Sequence, residues 1–219
     1  MTDLTGLTRF TSGSIAGRQQ RLPGPLRDLH RAVLRRFLAT GAPPTARWLR
    51  QAALDRGLDA TALDQLAAAD AVHVVNGVVA VAYPFSGTPT PHRVELDGLP
   101  AVHAMCAIDA LGLPAMTGRD GRISSADLHD GTPIVVMARG GTWSWAPATA
   151  VVVAGRATGC GTACASFEVM CPHTVFHASP GSARAYLASH GGLDADILDQ
   201  GTAVGYGRLN FGTLLTDPA

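Results

Sequence analysis

His103-Ala-Met-Cys-Ala-Ile-Asp-Ala-Leu-Gly-Leu-Pro-Ala-Met-Thr-Gly118 is the stretch on which the reading of this chain turns. Its spacing predicts a short helix: Pro100 can stand in the first turn, where a missing N–H costs nothing, and Gly112 with Pro114 supplies the stop. Cys106 and Asp109 are three apart, so on a helix their side chains leave from one face and can reach the same small ligand. Ala107, Ala110 and Leu111 read as packing. A free cysteine in an apolar helix is commonly a core residue, so this pair alone does not decide a function. Strand signals frame the helix, with 93–96 before it and 122–125, 134–138 and 150–154 after it, Gly140-Gly141 turning between. Trp143 and Trp145 alternate with polar neighbours, as sheet-packing residues do. This half of the chain is therefore expected to be a mixed or antiparallel β-sheet with flanking helices. Ser179 before Pro180 caps a further helix ending at Gly191-Gly192, and the tail from Asp194 to Leu215 is Gly-rich and weakly helical.

Upstream the pattern changes. Leu26, Leu29, Val33, Phe37 and Leu38 recur at helical spacing behind Pro25, and the run ends near Thr40-Gly41. A second helix is expected from Thr45, burying Trp48, Leu49 and Ala52, and a third from about Thr61 to Ala69, burying Leu63 and Leu66. Val72 to Val75, Asn76-Gly77 and Val78 to Tyr83 read as a hairpin, because Asn-Gly suits a two-residue turn with positive φ. Three helices and a hairpin predict a winged-helix module. The fold class is thus α+β, with residues 1–24 an N-terminal extension, 25–87 winged-helix-like, and 88–219 a second domain beginning at the Pro/Thr-rich connector Thr88 to Pro91. Winged helices often bind DNA, but the third helix carries Asp59, Asp64 and Asp70 nearby and no Arg or Lys, a surface that repels phosphate.

A second thiol stands in Phe167-Glu-Val-Met-Cys-Pro-His-Thr-Val-Phe-His-Ala-Ser179, where apolar flanks suggest a strand running into the core, interrupted at Pro172. Here the sequence resembles the organomercurial (alkylmercury) lyases. The resemblance rests on Cys106-Ala-Ile-Asp109-Ala-Leu, followed by Pro114, Gly118 and Arg122-Ile-Ser-Ser125, and on Cys171-x-His173-x-x-Phe176-x-Ala-Ser179. It spans residues 92 to 190, with a looser match in the N-terminal third. It departs from the family where aromatics usually precede the first cysteine (Ala104-Met105 here) and where a Phe-Phe pair usually follows the second (Phe176-His177 here). The resemblance implies that Cys106 and Cys171 bind mercury, that Asp109 moves the proton, and that the N-terminal module does not read DNA.

The chemistry suits such residues. Mercury is soft and thiophilic and prefers two ligands, and added thiolates push electron density onto the bound carbon until it can be protonated. An ordinary Asp is a poor acid at neutral pH, so burial must favour its protonated form. The products would be a hydrocarbon and dithiolate-bound Hg(II), without organic cofactor or catalytic metal, and release would need low-molecular-weight thiols or a mercuric reductase partner.

The loop Gly155 to Ser166 adds Cys160 and Cys164, which with Cys171 and His173 make Cys-x3-Cys-x6-Cys-x-His. All four lie in one local segment without the second, distant pair a zinc tetrahedron needs, which argues against structural zinc. A loop of thiols that relays a soft ion and a pair of idle cysteines are the two readings left open. His173 and His177 read as satisfied polar groups beside a strand, with His173 matching the family motif. His103 sits three residues before Cys106. Met105, Met116 and Met170 read as core filler.

Composition narrows the classes. With 47% hydrophobic and 16% charged residues over 219, the chain can build a sizeable core. The first twenty residues lack a basic segment leading into an apolar one, and no apolar run approaches the ~20 residues of a membrane span. A cytoplasmic protein with all four cysteines reduced is the expectation. The net charge is zero, every basic residue is Arg, and residues 1–60 hold ten Arg against four Asp. Three classes stay open: a carbon–mercury lyase, a relative on the same scaffold that binds or transfers soft metal ions or acts on another substrate, and a DNA-binding metal-responsive regulator.

Overall fold

The computed structural model describes residues 14–159 and 164–216. Four helices come first: α1 (Ile15–Arg21), α2 (Gly24–Thr40), α3 (Ala46–Leu54) and α4 (Ala62–Ala68). Their ends follow from local chemistry. The Ser14 and Thr45 hydroxyls accept N–H groups of the first turns of α1 and α3, and Gly41, at φ 68°, closes α2 in the left-handed region. Helix α1 falls inside the expected extension, where seven residues at a polar start carry too little periodicity to be seen. Strands β1 (Val72–Val75) and β2 (Val78–Ala82) form the expected hairpin, with φ 51° at Asn76 and 76° at Gly77.

The hairpin does not stand apart. Strands β3 (Phe85–Ser86), β4 (Arg93–Leu96), β5 (Val102–Ala104), β6 (Gly121–Ala126), β7 (Pro133–Arg139) and β8 (Thr142–Ala146) join it in one sheet, ordered β1-β2-β3-β5-β4-β6-β7-β8. A second sheet has β9 (Val151–Ala157) between β10 (Thr174–His177) and β11 (Leu193–Leu198). The pairings in both are antiparallel. Helices α5 (Ala107–Thr117), α6 (Ser166–Val169), α7 (Pro180–Ser189) and α8 (Gln200–Phe211) complete the chain. The α+β class with antiparallel sheets stands as expected.

The sheets meet around fully buried Phe176, whose ring lies edge-on to Trp145 at 5.6 Å and to His92 at 5.7 Å. Strand β9 is apolar on both faces because both are covered: Val152 and Ala154 join the main core, while Val151 and Val153 pack with Val175, Ala183 and Tyr186. Met116 is buried and Met105 and Met170 pack against the core, as filler residues should.

Several local expectations need correction. The central helix begins at Ala107, not near Pro100, because 102–104 pair as strand β5; His103 is a strand residue whose Nδ1 meets Thr90. It also runs through Gly112 and Pro114 to Thr117 and stops at Gly118, φ 64°. Gly112 serves close approach instead: a Cβ there would lie 2.3 Å from Phe211 Cδ2, so it lets α8 seat against α5. The tail is a regular strand and helix, β11 and α8, capped by the Asp199 carboxylate accepting from Thr202 N. The segment before Cys171 is helical, and Cys171 begins a 3-10 turn (Cys171–His173) that leads into β10, so the expected interrupted strand starts only at Thr174. Pro172 fits this turn because its ring presets φ and the position needs no N–H donor.

Candidate active site

Strand β5 ends at Ala104 and delivers Cys106 to the start of α5, where it is the N-cap residue and its Sγ accepts the Asp109 N–H at 3.4 Å. One helical turn on, Asp109 projects to the same side. The fold then brings in Cys171 from 62 residues downstream, its Sγ–H aimed at Asp109 Oδ2 over 3.8 Å. The two sulfurs and the carboxylate lie within 4.8 Å of one another. All three residues are buried, at 5%, 4% and 7% exposure, which decides their protonation.

Burial pushes the Asp109 carboxyl up to about 7, although hydrogen bonds from both thiols and from the Cys106 backbone N–H, with the Arg18 charge, favour the carboxylate. Burial likewise drives the Cys106 thiol well up, with the Cys171 hydrogen bond and the Asp109 charge acting in the same sense. At Cys171 the contact with Cys106 acts downward, but burial and the charges of Asp109 and Asp70 outweigh it, and the net direction is up. A helix N-terminus ordinarily favours a thiolate, yet here desolvation wins. The resting cluster therefore holds two neutral thiols and a carboxyl that gains or loses its proton near neutrality. Two convergent sulfurs suit a soft, thiophilic ion, and the carboxyl is placed to move a proton to or from whatever they hold.

The cluster opens into a cavity of about 910 Å³, lined among others by Ile15, Arg18, Asp70, Tyr83, Phe167 and Phe211. Residues of α1 and of the turn after α4 thus face the same space as the thiols, a contribution sequence reasoning missed. The signal available was the looser N-terminal match, which named no residue.

The remaining expected site residues fall elsewhere. His173 points its Nδ1 at Tyr186 Oη, 3.2 Å away. His177 is fully buried against Asp127, Nδ1 to Oδ1 2.8 Å, and Asp127 also accepts the N–H groups of Ala178 and His129. His173, in the turn before β10, has a polar partner as expected, whereas His177 is satisfied only at Nδ1, its buried Nε2 having no hydrogen-bond partner among the described residues. Cys164 lines the cavity but is disulfide-bonded, so the expectation of four reduced cysteines fails there; spacing alone could not show which sulfurs lie close enough to bond. Cys106 and Cys171 are free. Cys160 lies outside the described residues.

A profile of the alkylmercury lyase (MerB) family matches residues 85–212. An alkylmercury lyase of Streptomyces lividans is 30% identical over 210 residues, 95% of this chain and 90% of its own length. One from Pseudomonas putida is 32% identical over 133 residues, 58% of each chain, so that match spans little more than half of the relative. Among solved structures, the mercury-bound form of MerB2 superposes with a TM-score of 0.73 at 20% identity, over 92% of this chain and 97% of that one.

Proposed function

Because this chain belongs to the alkylmercury lyase family, we propose that it cleaves carbon–mercury bonds by protonolysis, giving a hydrocarbon and Hg(II). The observation that carries this reading is the buried triad: two free thiols and a carboxyl poised near pH 7, within 4.8 Å of one another at the floor of a cavity.

The steps follow from the proton inventory. An organomercurial R–Hg–L exchanges its ligand L for one cysteine, which leaves as HL with that thiol's proton. The Asp109 carboxylate then takes the proton of the second thiol, and the new thiolate adds to mercury. With two sulfurs donating, the carbon becomes carbanion-like, and Asp109 returns the proton to it. The hydrocarbon departs and Hg(II) stays bridged between Cys106 and Cys171. Two external thiols restore both cysteines by exchange, and low-molecular-weight thiols or a mercuric reductase are suited to that step. Cys164 would act as a relay thiol only after its disulfide is reduced.

Residues 25–87 we read as a winged-helix-like module that covers the site rather than reading DNA, and 88–219 as the lyase-like domain. Helix α4 and its flanks bear Asp59, Asp64 and Asp70, the last already paired with Arg18. No helix among the described residues is long and apolar enough to cross a membrane, and we place the chain in the cytoplasm, where free thiols persist.

A single-turnover reaction of purified protein with an alkyl- or arylmercury compound tests the reading. Hydrocarbon release with one Hg(II) retained per chain is the expected result; stoichiometric metal uptake without hydrocarbon would favour a soft-metal carrier.

A further inference from the structure

Cys171 must be held against Asp109 by something other than its own segment. The α6 helix has four residues, too few to sustain itself, and the 3-10 turn after it has three. What fixes them lies outside the segment.

Asp70 follows α4 in the left-handed region, φ 50°, which turns its carboxylate across the cavity wall toward α6. Its Oδ2 accepts the Ser166 N–H at 3.1 Å and the Ser166 hydroxyl at 2.6 Å, and pairs closely with the Arg18 guanidinium. Its Oδ1 faces His73 Nε2 at 2.6 Å and accepts from Tyr83 Oη at 3.2 Å. Tyr83 Oη in turn accepts the Phe167 N–H at 2.7 Å. Arg18 closes the ring, donating to the Asp70 carbonyl at 3.0 Å and to Ser166 Oγ at 3.1 Å. From Ser166 the chain leads to Cys171 through continuous backbone hydrogen bonds, Met170 N–H to Ser166 O at 2.9 Å and His173 N–H to Met170 O at 2.9 Å.

We propose that Asp70, with Arg18 and Tyr83, is a positioning residue for Cys171: it latches the first residues of α6 to the N-terminal helices and so sets the second thiol against Asp109. The latch recruits three separate parts of the chain, α1, the turn after α4 and the turn between β2 and β3, to place one sulfur. Its consequence for catalysis rests on the lyase reading, but its geometry does not.

The test measures local opening at each thiol. Cys106 and Cys171 face the cavity but are only 5% and 7% exposed, so the rate of their alkylation by N-ethylmaleimide in the full chain reports how readily the wall around each one yields. Peptide mass spectrometry gives the two rates separately. In Asp70→Ala the Cys171 rate should rise about tenfold or more relative to Cys106, as expected for losing hydrogen bonds to a charged group. Ser166→Ala and Tyr83→Phe should raise the same ratio less, and Ser166→Thr, which keeps the hydroxyl, should restore it. If Asp70→Ala does not fold, the Ser166 pair and Tyr83→Phe decide the question. An unchanged ratio in the folded variants, or equal acceleration at both cysteines, overturns the latch. Failure of the parent protein to release hydrocarbon would sink the lyase reading while leaving the labelling result intact.

Discussion

At Asp109 two demands oppose each other, and the opposition can be measured. Burial raises its carboxyl from 3.8 to about 7, so the folded chain holds a proton there that the unfolded chain releases. Stability from this group is fully present below pH 3.8 and is lost as pH rises through 7, by about 4 kcal/mol for a shift of that size. Asp109→Asn removes the loss, so the variant should gain stability over the parent between pH 5 and 8. Urea unfolding of both proteins across that range checks it, and the comparison cancels the buried His30 and His92, whose lowered values act on both chains alike. The same substitution should retain organomercurial binding, since both thiols remain, while cleavage collapses; an intact organomercury adduct by mass spectrometry is the expected product. In the parent, kcat/KM should rise with pH through about 7, because only the carboxylate can accept a thiol proton, and this limb should vanish with Asn. Cys106→Ser and Cys171→Ser should each lower turnover by orders of magnitude, whereas Cys164→Ser, disulfide-bonded at the cavity wall, should cost far less; steady-state rates decide between them.

Among elements, α5 and α8 pack closely enough to need glycine at the contact. Gly112 and Gly207 face each other there: a Cβ on Gly112 would meet the Phe211 ring at 2.3 Å, and one on Gly207 the Gly112 nitrogen at 2.9 Å. Ala at either should destabilise by about 1–3 kcal/mol through overpacking. Gly207→Ala should be the worse, because backbone cannot swing aside as a ring can. Urea midpoints give the comparison, and turnover should fall too, because α5 carries Asp109. This contact also marks what sequence could convey. Gly112 read as a helix stop because a glycine looks the same whether it breaks a helix or admits a neighbour. Cys106 and Asp109 were legible because their spacing is local, and the Asn76-Gly77 turn because its φ values leave few alternatives. What holds the Cys171 segment in place was not legible, since Asp70 to Ser166 is a contact across 96 residues with no periodic signal. Short strands such as β3 and β5 were equally hidden, because two or three residues carry no pattern until a neighbour pairs with them.

For the whole molecule, the N-terminal helices are stitched to the rest at several places. Phe37 of α2 stacks on Phe85 of β3 with centroids 5.0 Å apart, and β3 pairs on one side with β2 and on the other with β5, the strand that delivers Cys106. Midway along α2, Arg31 donates to the carbonyls of Leu214 and Thr216, and the Asp70 latch adds a third connection through Ser166. Loss of the N-terminal helices would expose Phe85 and the thiol cluster to water. Equilibrium unfolding is therefore expected to be one cooperative step. Trp48 lies in α3, and Trp143 and Trp145 lie in β8 at the far edge of the sheet, so fluorescence can follow the two regions apart. A chain with both β8 tryptophans changed to Phe reports on Trp48 alone, and Trp48→Phe reports on β8. After each variant's midpoint is corrected by circular dichroism of the same sample, the fluorescence and dichroism curves should superimpose in both. A Trp48 transition that precedes the loss of strand signal would mean that the helices melt independently, and the thiol site would then be able to open without global unfolding.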